Sequence, residues 1–237
     1  MEINPINHKY LHFGPILCGT HIDLNLCNEL LERGENTRGV RKHKLHRTTS
    51  SLSTKLQLQS NYSNDDIIWF VENLKPYFIP YFKKLQETNY YGMRPFNRVS
   101  LNHMWINYME KNEFNRPHTH SGSFSFVLYL QVPEAIYTAS GQYPKKGIDG
   151  KSYPGGVCSV GPGCVNFFYG EEQTGIITAH GIKPIEGDLW IFPAPLRHMV
   201  PPFRVDGTRI SVSGHLTISD ESNEGQPIQP DEFILNN

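Results

Sequence analysis

The stretch NRPHTHSGSFSFVLYLQV, residues 115–132, places two histidines directly before a run of alternating side chains. In extended backbone, residues two apart point to the same side, so the imidazoles of His118 and His120 face the same way. Two neutral imidazoles on one side suit a divalent metal of borderline softness. The alternation from Ser123 to Val132 is typical of a β-strand. The stretch therefore predicts a metal site next to a strand.

Further period-two segments occur along the second half of the chain. Arg98–Met109 alternates like a long strand. Glycine and proline separate the shorter candidates, and many short strands joined by such turns are typical of a β-sandwich or barrel. The turn-rich segment Ala139–Gly156 predicts an inserted loop over the mouth of that barrel. The shorter strand candidates are Val165–Tyr169, Thr174–Ala179, Leu189–Phe192 and Arg209–Ile218.

The first part of the chain predicts helices and irregular segments instead. Asp23 is the expected N-cap of a short helix through Leu31, and Gly34 is its expected end. The segment Arg33–Ser60 is basic, rich in Ser and Thr and weakly periodic, which predicts a surface loop.

A second helix is expected to begin at residues 64–66, where three Asn or Asp side chains stand together. Pro76 and Pro80 predict its interruption, followed by a further turn or two through Leu85. The aromatic row Tyr77–Phe82 predicts packing against the barrel.

Length, charge and cysteine content limit the classes of protein to which the chain could belong. The 237 residues predict one domain, with a helical or irregular part over 1–95, a β core over 96–219 and an extended tail over 220–237. The net charge of -1 predicts neither a nucleic-acid nor a membrane partner, and it leaves a homo-oligomer open. No apolar signal follows Met1, and the four cysteines form no C-x-x-C pair, so we expect free thiols in a reducing compartment.

Two later segments complete the candidate site. In GDLWIFPAPLRH, residues 187–198, a strand ends in prolines and His198 follows. A strand from Arg209 places Ser211, Ser213 and His215 on the same face as that arginine. Arginine offers a planar fork for a carboxylate, and serine adds a hydroxyl donor. A ligand with two carboxylate ends, such as 2-oxoglutarate, could chelate a metal at one end and contact Arg209 at the other.

The segments 115–130 and 187–213 resemble a 2-oxoglutarate/Fe(II) oxygenase family that is frequent in marine bacteria and tailed phages and is prolyl-4-hydroxylase-like. The resemblance spans about residues 95–218. It implies a mainly β, double-stranded β-helix (a jelly-roll or cupin-like barrel) that binds Fe(II), 2-oxoglutarate and O2 and hydroxylates a substrate that the sequence does not identify. It also implies that His118 and His198 are iron ligands, that Arg209 binds the distal carboxylate, and that the protein is cytoplasmic, in a bacterium or a phage-infected host cell.

One position departs from the pattern of the wider superfamily, and two lesser departures are from the pattern of this family. His120 stands where most related oxygenases have Asp, so it is either a third ligand or leaves a position for another ligand or water. Phe126 and His215 stand where a small residue and an Asn are common, and both are expected near the cavity. Tyr129 and Asn107, together with Ser211, are expected to reach the 2-oxoglutarate.

Two other functions fit the same histidines. His118, His120 and His198 would also suit a cupin-like three-histidine dioxygenase that does not use 2-oxoglutarate, although Arg209 argues against it. A non-enzymatic metal-binding structural protein would instead have a closed site that prefers zinc. The remaining histidines are expected to be structural or surface residues, and Asp188 is expected to be a turn residue; these histidines are His8, His12, His21, His43, His46, His103 and His180.

Overall fold

The computed structural model describes residues 7–12, 14–40, 58–88, 95–139, 145–146, 152–153, 162–170, 179–220 and 227–235. These residues form two facing antiparallel sheets with two long helices packed on the outer side of the larger one. The helices are α1 (Leu24–Val40), α2 (Asn64–Glu87) and the short α3 (Glu134–Ala139). The strands are β1 (His8–His12), β2 (Ile16–His21), β3 (Leu58–Asn61), β4 (Phe96–Met109), β5 (Asn115–His118), β6 (Phe124–Gln131), β7 (Lys145–Lys146), β8 (Ser152–Tyr153), β9 (Val165–Phe168), β10 (Ala179–Ile182), β11 (Asp188–Pro193), β12 (Arg197–Val200), β13 (Arg209–Asp220) and β14 (Glu232–Ile234).

The larger sheet has the strand order β1-β2-β11-β6-β13-β4-β14, and β3 also pairs with β4. The smaller sheet has the order β10-β9-β12-β5, and β7 pairs with β8 apart from both. Leu128 in β6 lies opposite Leu189 of β11 on one side and Val212 of β13 on the other, which fixes the register at the centre of the larger sheet. The predicted mainly β architecture is confirmed.

Alternation along the central strands divides the buried side chains between two cores. On β6, Phe126 and Leu128 point towards the helices, whereas Val127 and Tyr129 point towards the smaller sheet. Phe167 of the smaller sheet belongs to the same core as Val127, so this core lies between the two sheets. Each fully buried aliphatic or aromatic side chain contributes about 1.5–3 kcal/mol, which makes register slippage costly.

Helix α2 is continuous where two breaks were predicted. Its N-cap is Ser63, whose hydroxyl accepts from the backbone of Asp66 while the Asp66 carboxylate accepts from the backbone of Ser63. Pro76 and Pro80 both lie inside the helix. The expected interruption was wrong because the aromatic side chains that follow are buried against the larger sheet, and their burial outweighs a cost of about 3 kcal/mol per proline. Those side chains are Phe78, Tyr81 and Phe82, which confirms the predicted core packing.

Helix α1 also differs from its prediction. Asp23 accepts a bond from the backbone of Asn25, as an N-cap does, but the helix continues through Gly34 to Val40. A Cβ at Gly34 would lie 2.5 Å from Cδ1 of Ile106 and 2.9 Å from the hydroxyl of Tyr62. This glycine therefore allows close packing on the sheet and does not end the helix. The predicted loop Arg33–Ser60 is consequently helical at its start and part of β3 at its end, and residues 41–57 lie outside the described residues.

Eight strands were absent from the sequence prediction: β1, β2 and β3 before residue 95, β5 and β12 around His118 and His198, β7 and β8 in the predicted loop, and β14 in the tail. Most of the predicted loop Ala139–Gly156, and residues 174–178 of the next expected strand, lie outside the described residues. Cys18, Cys27 and Cys164 are buried thiols that form no disulfide, as expected, and Cys158 lies outside the described residues. Within the described part of the chain, no helix has both the length and the apolar character needed to cross a membrane.

Candidate active site

Three histidines converge at the end of the smaller sheet. His118 ends β5 and lies directly opposite His198 of β12, and His120 follows two residues later. The side-chain ligand atoms of His118, His120 and His198 all lie within 4.8 Å of one another. Among the described residues, this is the group of histidine, cysteine or carboxylate side chains that could hold a metal ion.

Hydrogen bonds determine which nitrogen each ring presents. The Nδ1 of His118 donates to the carbonyl of Arg116 at 2.6 Å, and the Nδ1 of His198 donates to the carbonyl of Leu196 at 2.8 Å. Because a carbonyl oxygen can only accept, each Nδ1 carries the proton and each Nε2 of the neutral ring has a lone pair. Both Nε2 atoms are therefore available for a metal.

Burial keeps the three imidazoles neutral. It lowers the pKa of His120 to about 2, with further lowering by the neighbouring rings of His198, His118 and His215. Burial, together with His118, lowers the pKa of His198 to about 3, and burial lowers the pKa of His118 as well. The neutral imidazole is the form that binds metals, so the site is set for a metal at neutral pH.

The spacing of the nitrogens fits a single ion. Two ligand nitrogens that are each about 2.1 Å from one metal and at a right angle lie about 3 Å apart. The Nε2 atoms of His120 and His198 are 3.1 Å apart. The carboxylate of Asp188, in contrast, accepts from Nδ1 of His21 at 2.9 Å, so it has a different role. Asp188 is the buried first residue of β11, not the turn residue that the sequence suggested.

A cavity of about 360 Å³ opens beside these histidines, between the two sheets. Strands β4 and β13 contribute polar side chains at every second position, as their alternation predicted. The lining residues are Gln59, His103, Trp105, Asn107, Asn115, His118, Thr119, His120, Val127, Val165, Phe192, His198, Val200, Arg209, Ser211, Ser213 and His215. The volume and the few convergent polar groups are typical of a small-ligand site.

Arg209 is the charged residue in this lining, and it is almost completely buried, at 2% exposure. One of its Nη1–H groups donates to the carbonyl of Gly163 at 2.6 Å, while its Nε–H has no hydrogen-bond partner in the protein. Burial lowers its pKa, and none of the described ion pairs includes it. A buried cation without an anionic partner is costly, so the guanidinium fits a cavity that receives a carboxylate.

The other residues expected to contact 2-oxoglutarate lie around this arginine. Asn107 and Ser211 are buried and line the cavity. Tyr129 is fully buried and does not line the cavity; its ring faces the guanidinium of Arg209 at 5.5 Å. This cation–π contact stabilises the positive charge of Arg209.

The structure corrects two expectations about side chains near the cavity. Phe126 points away from the cavity and stacks on Phe70 of α2 at 5.2 Å, because it lies on the opposite face of β6 from Val127. His103 lines the cavity, although it was expected to be structural or a surface residue. Its place on the same face of β4 as Trp105 and Asn107 is the signal that could have identified it.

Three of the remaining histidines, His8, His21 and His180, are described by the structure and lie outside the site. His21 is not a surface residue, since its side chain is 21% exposed and pairs with Asp188. His8 is partly buried and its Nε2 lies 3.0 Å from the carbonyl of Tyr77. His180 is half-buried in β10, whereas the side chain of His12 and the whole of His43 and His46 lie outside the described residues.

Comparison with known proteins agrees with this geometry. Residues 103–214 match the family described as "Putative 2OG-Fe(II) oxygenase", and this segment contains every candidate metal ligand and Arg209. No curated protein sequence is significantly similar to the chain. The non-heme alpha-ketoglutarate-dependent carbocyclase SnoK from nogalamycin biosynthesis is similar in structure, with a TM-score of 0.52, 8% identity, and coverage of 87% of this chain and 84% of SnoK.

Two further structures share the arrangement more loosely. A prolyl-4-hydroxylase from Pseudomonas putida covers 90% of this chain, with 92% of its own length, at a TM-score of 0.48 and 14% identity. The viral collagen prolyl hydroxylase of Paramecium Bursaria Chlorella virus-1 covers 89%, with 95% of its own length, at a TM-score of 0.44 and 10% identity. At these identities the likeness to SnoK supports the double-stranded β-helix fold alone. Residues 103–214 are similar to that 2OG-Fe(II) oxygenase family, and with the histidine and arginine geometry the chain is an oxygenase that depends on Fe(II) and 2-oxoglutarate.

Proposed function

We propose that His118, His120 and His198 hold the Fe(II), that Arg209 binds the distal carboxylate of 2-oxoglutarate, and that the enzyme hydroxylates its substrate with release of succinate and CO2. The observation that carries this assignment is the buried guanidinium, which forms no ion pair with any carboxylate among the described residues and lies in the same cavity as the three candidate histidine ligands. A dicarboxylate satisfies both features at once.

The side chains around Arg209 orient the cosubstrate. The Arg209 fork takes up the carboxylate, and the hydroxyl of Ser211 and the amide of Asn107 are further donors from adjacent positions of β13 and β4. These strands are held in a long antiparallel ladder, in which Ser211 lies opposite Asn107. The donors therefore keep fixed positions before the cosubstrate enters, which lowers the entropic cost of binding it.

The cavity wall near the imidazoles is apolar. The ring of Phe192 lies 5.0 Å from the ring of His198 and 6.4 Å from that of His120, and Val127 and Val165 line the same space. These side chains exclude water from the reacting centre. When bound, Fe(II) and 2-oxoglutarate together supply the oxidising power to insert one atom of O2 into a C–H bond, while the other atom is used in converting 2-oxoglutarate to succinate and CO2.

The two alternative functions fit the cavity less well. A cupin-like dioxygenase that does not use 2-oxoglutarate would leave the buried charge of Arg209 without a partner. A structural zinc site would be closed, whereas the three imidazoles here face a cavity of about 360 Å³. The absence of a nucleic-acid partner, a homo-oligomeric state and a cytoplasmic location stay predictions.

Oxygen uptake of the Fe(II)-loaded enzyme tests the proposal, with succinate measured by mass spectrometry. We expect slow uptake that requires 2-oxoglutarate and yields succinate, and its loss in His198→Ala and Arg209→Ala. Arg204→Ala is the matched control, because Arg204 is an exposed arginine outside the cavity. Uptake that does not depend on 2-oxoglutarate would support the cupin-like alternative. No uptake, combined with unfolding on chelation, would support a structural metal site.

A further inference from the structure

His215 connects the candidate metal site to the opposite wall of the cavity. Its Nε2 lies 3.2 Å from Nδ1 of His120, and its Nδ1 lies 3.1 Å from the hydroxyl oxygen of Ser121. Nothing in the assignment above gives this imidazole a role. It forms, with Ser121 and His120, a continuous hydrogen-bonded row that ends at the Nε2 of His120.

The three candidate ligands differ in how their Nδ1 atoms are held. His118 and His198 each donate to a backbone carbonyl two residues earlier, and a carbonyl can act only as an acceptor. The Nδ1 of His120 instead faces the ring nitrogen of another side chain. A neutral imidazole nitrogen can donate or accept, so the bond alone does not determine the tautomer of His120. The tautomer of His120 therefore follows from the tautomer of His215, its partner in this bond.

On this basis, which rests on the proposed ligand set, we propose that His215 is the positioning residue for His120. The Nδ1–H of His120 donates a hydrogen bond to Nε2 of His215, and this leaves the lone pair of His120 on Nε2, directed at the metal. The Nδ1–H of His215 then donates to the oxygen of Ser121. In this arrangement the lone pairs of His120 Nε2 and His198 Nε2, which are 3.1 Å apart, are both free to bind one metal ion.

The surrounding structure holds His215 in place for this role. Its backbone lies within β13, opposite His103 of β4 and Ser125 of β6, so both edges of the strand are paired. The indole of Trp105 contacts its ring edge-on at 4.7 Å and lies 5.6 Å from the ring of His120. The same indole therefore limits the rotation of both imidazoles.

Gly122 brings Ser121 close enough to complete the row. It has φ +87°, and a Cβ on it would lie 3.0 Å from the carbonyl of Leu216 and 3.7 Å from Cβ of His215. A side chain at this position would push the turn away from β13 and separate the serine from the ring.

The affinity of the whole protein for Co(II), measured by competition with a chromogenic chelator, tests this role without relying on turnover. His215→Leu keeps the volume and removes the acceptor, and we expect a 10- to 100-fold loss of affinity. His215→Gln places an amide oxygen near the position of Nε2, and we expect it to restore affinity to within about threefold of wild type. His180→Leu is the matched control, because His180 lies in β10 outside the cavity lining, and the affinity of this variant should be unchanged.

Nitrogen-15 spectra of the Zn(II)-loaded protein give a second readout. The wild type should show a protected Nδ1–H on His120, which His215→Leu should lose. Unchanged affinity in His215→Leu, or the same loss in His215→Gln as in His215→Leu, would overturn the positioning role. His120→Ala separates this failure from that of the ligand set: if it binds Co(II) as tightly as wild type, the three-histidine assignment and the role of His215 both fall. If only His120→Ala weakens binding, the ligand set stands and the role of His215 falls.

Discussion

Replacing Arg209 with alanine should abolish tight binding of 2-oxoglutarate while leaving the fold intact. The guanidinium is buried, and one of its Nη1–H groups donates to the carbonyl of Gly163. Its Nε–H has no hydrogen-bond partner in the protein, so the side chain has donors available for a ligand. Removing one partner of a buried, hydrogen-bonded charge pair costs about 2–5 kcal/mol. A loss of about 3 kcal/mol corresponds to a dissociation constant about 150-fold higher.

This loss can be measured anaerobically in two ways. A titration of the Fe(II)-loaded protein with 2-oxoglutarate gives the dissociation constant directly. The thermal stability gives an independent value, because a ligand at 100 times its dissociation constant stabilises the native state by about 2.7 kcal/mol. At the same concentration, a variant that binds 150-fold more weakly gains only about 0.3 kcal/mol.

Two further variants separate charge from geometry. Arg209→Lys keeps the positive charge and loses the planar fork, so we expect binding about tenfold weaker than in the wild type. Arg204→Ala removes an exposed arginine and should change neither quantity. The reasoning would be refuted by an Arg209→Ala enzyme that binds 2-oxoglutarate within threefold of the wild type. An equal loss in Arg204→Ala would refute it as well, since that would indicate a nonspecific effect of charge.

Three other outcomes follow from the packing and the pKa shifts. In the metal-free protein, His120 and His198 have lowered pKa values, so these residues bind protons in the unfolded state and not in the native state as the pH falls below about 6.5. Urea unfolding should therefore show a free energy of unfolding about 3 kcal/mol lower at pH 5.5 than at pH 7.5, and a constant or higher value at pH 5.5 would contradict this. Gly34→Ala should destabilise by about 1–3 kcal/mol in the same assay, against less than about 0.5 kcal/mol for the exposed Asn36→Ala on the same helix. Burial, with the charges of nearby carboxylates, raises the pKa of Cys27 to about 12, so iodoacetamide at pH 8 should label it only after unfolding, and rapid labelling of the native protein would show that the thiol is accessible.

Period-two alternation predicted the strands that form the site because each has one face on a core and the other on the cavity. This is why Arg209, Ser211, Ser213 and His215 were expected on one face and all line the cavity. The same rule, applied strictly, would have placed Phe126 on the helix side, since Val127 and Tyr129 face the cavity side. The alternation did place His103 on the same face as Trp105 and Asn107, and it therefore indicated the cavity position that the expected structural or surface role overlooked.

Other features could not be predicted from local sequence. Pro76, Pro80 and Gly34 have low intrinsic helix propensity, and their place inside helices depends on partners that are distant in the chain, such as Ile106 for Gly34. The short strands β3 and β14 gain their structure from pairing with β4, so their own sequences carry little signal. The hydrogen bond between His120 and His215 joins residues 95 apart and depends on the strand order β6-β13-β4.

The charge balance of the cavity links these observations. The three imidazoles are neutral. The carboxylate of Asp188, ten residues before His198 in the chain, is paired with His21. Within the described lining, Arg209 adds a positive charge and no carboxylate offsets it. A divalent metal held by neutral ligands keeps its full formal charge, so the cavity with metal carries several uncompensated positive charges. A dicarboxylate compensates both the metal and Arg209, and each partner should therefore strengthen the binding of the other by the same factor. With the proposed ligand set, the two carboxylates of the cosubstrate are therefore the anionic groups that balance the metal and Arg209.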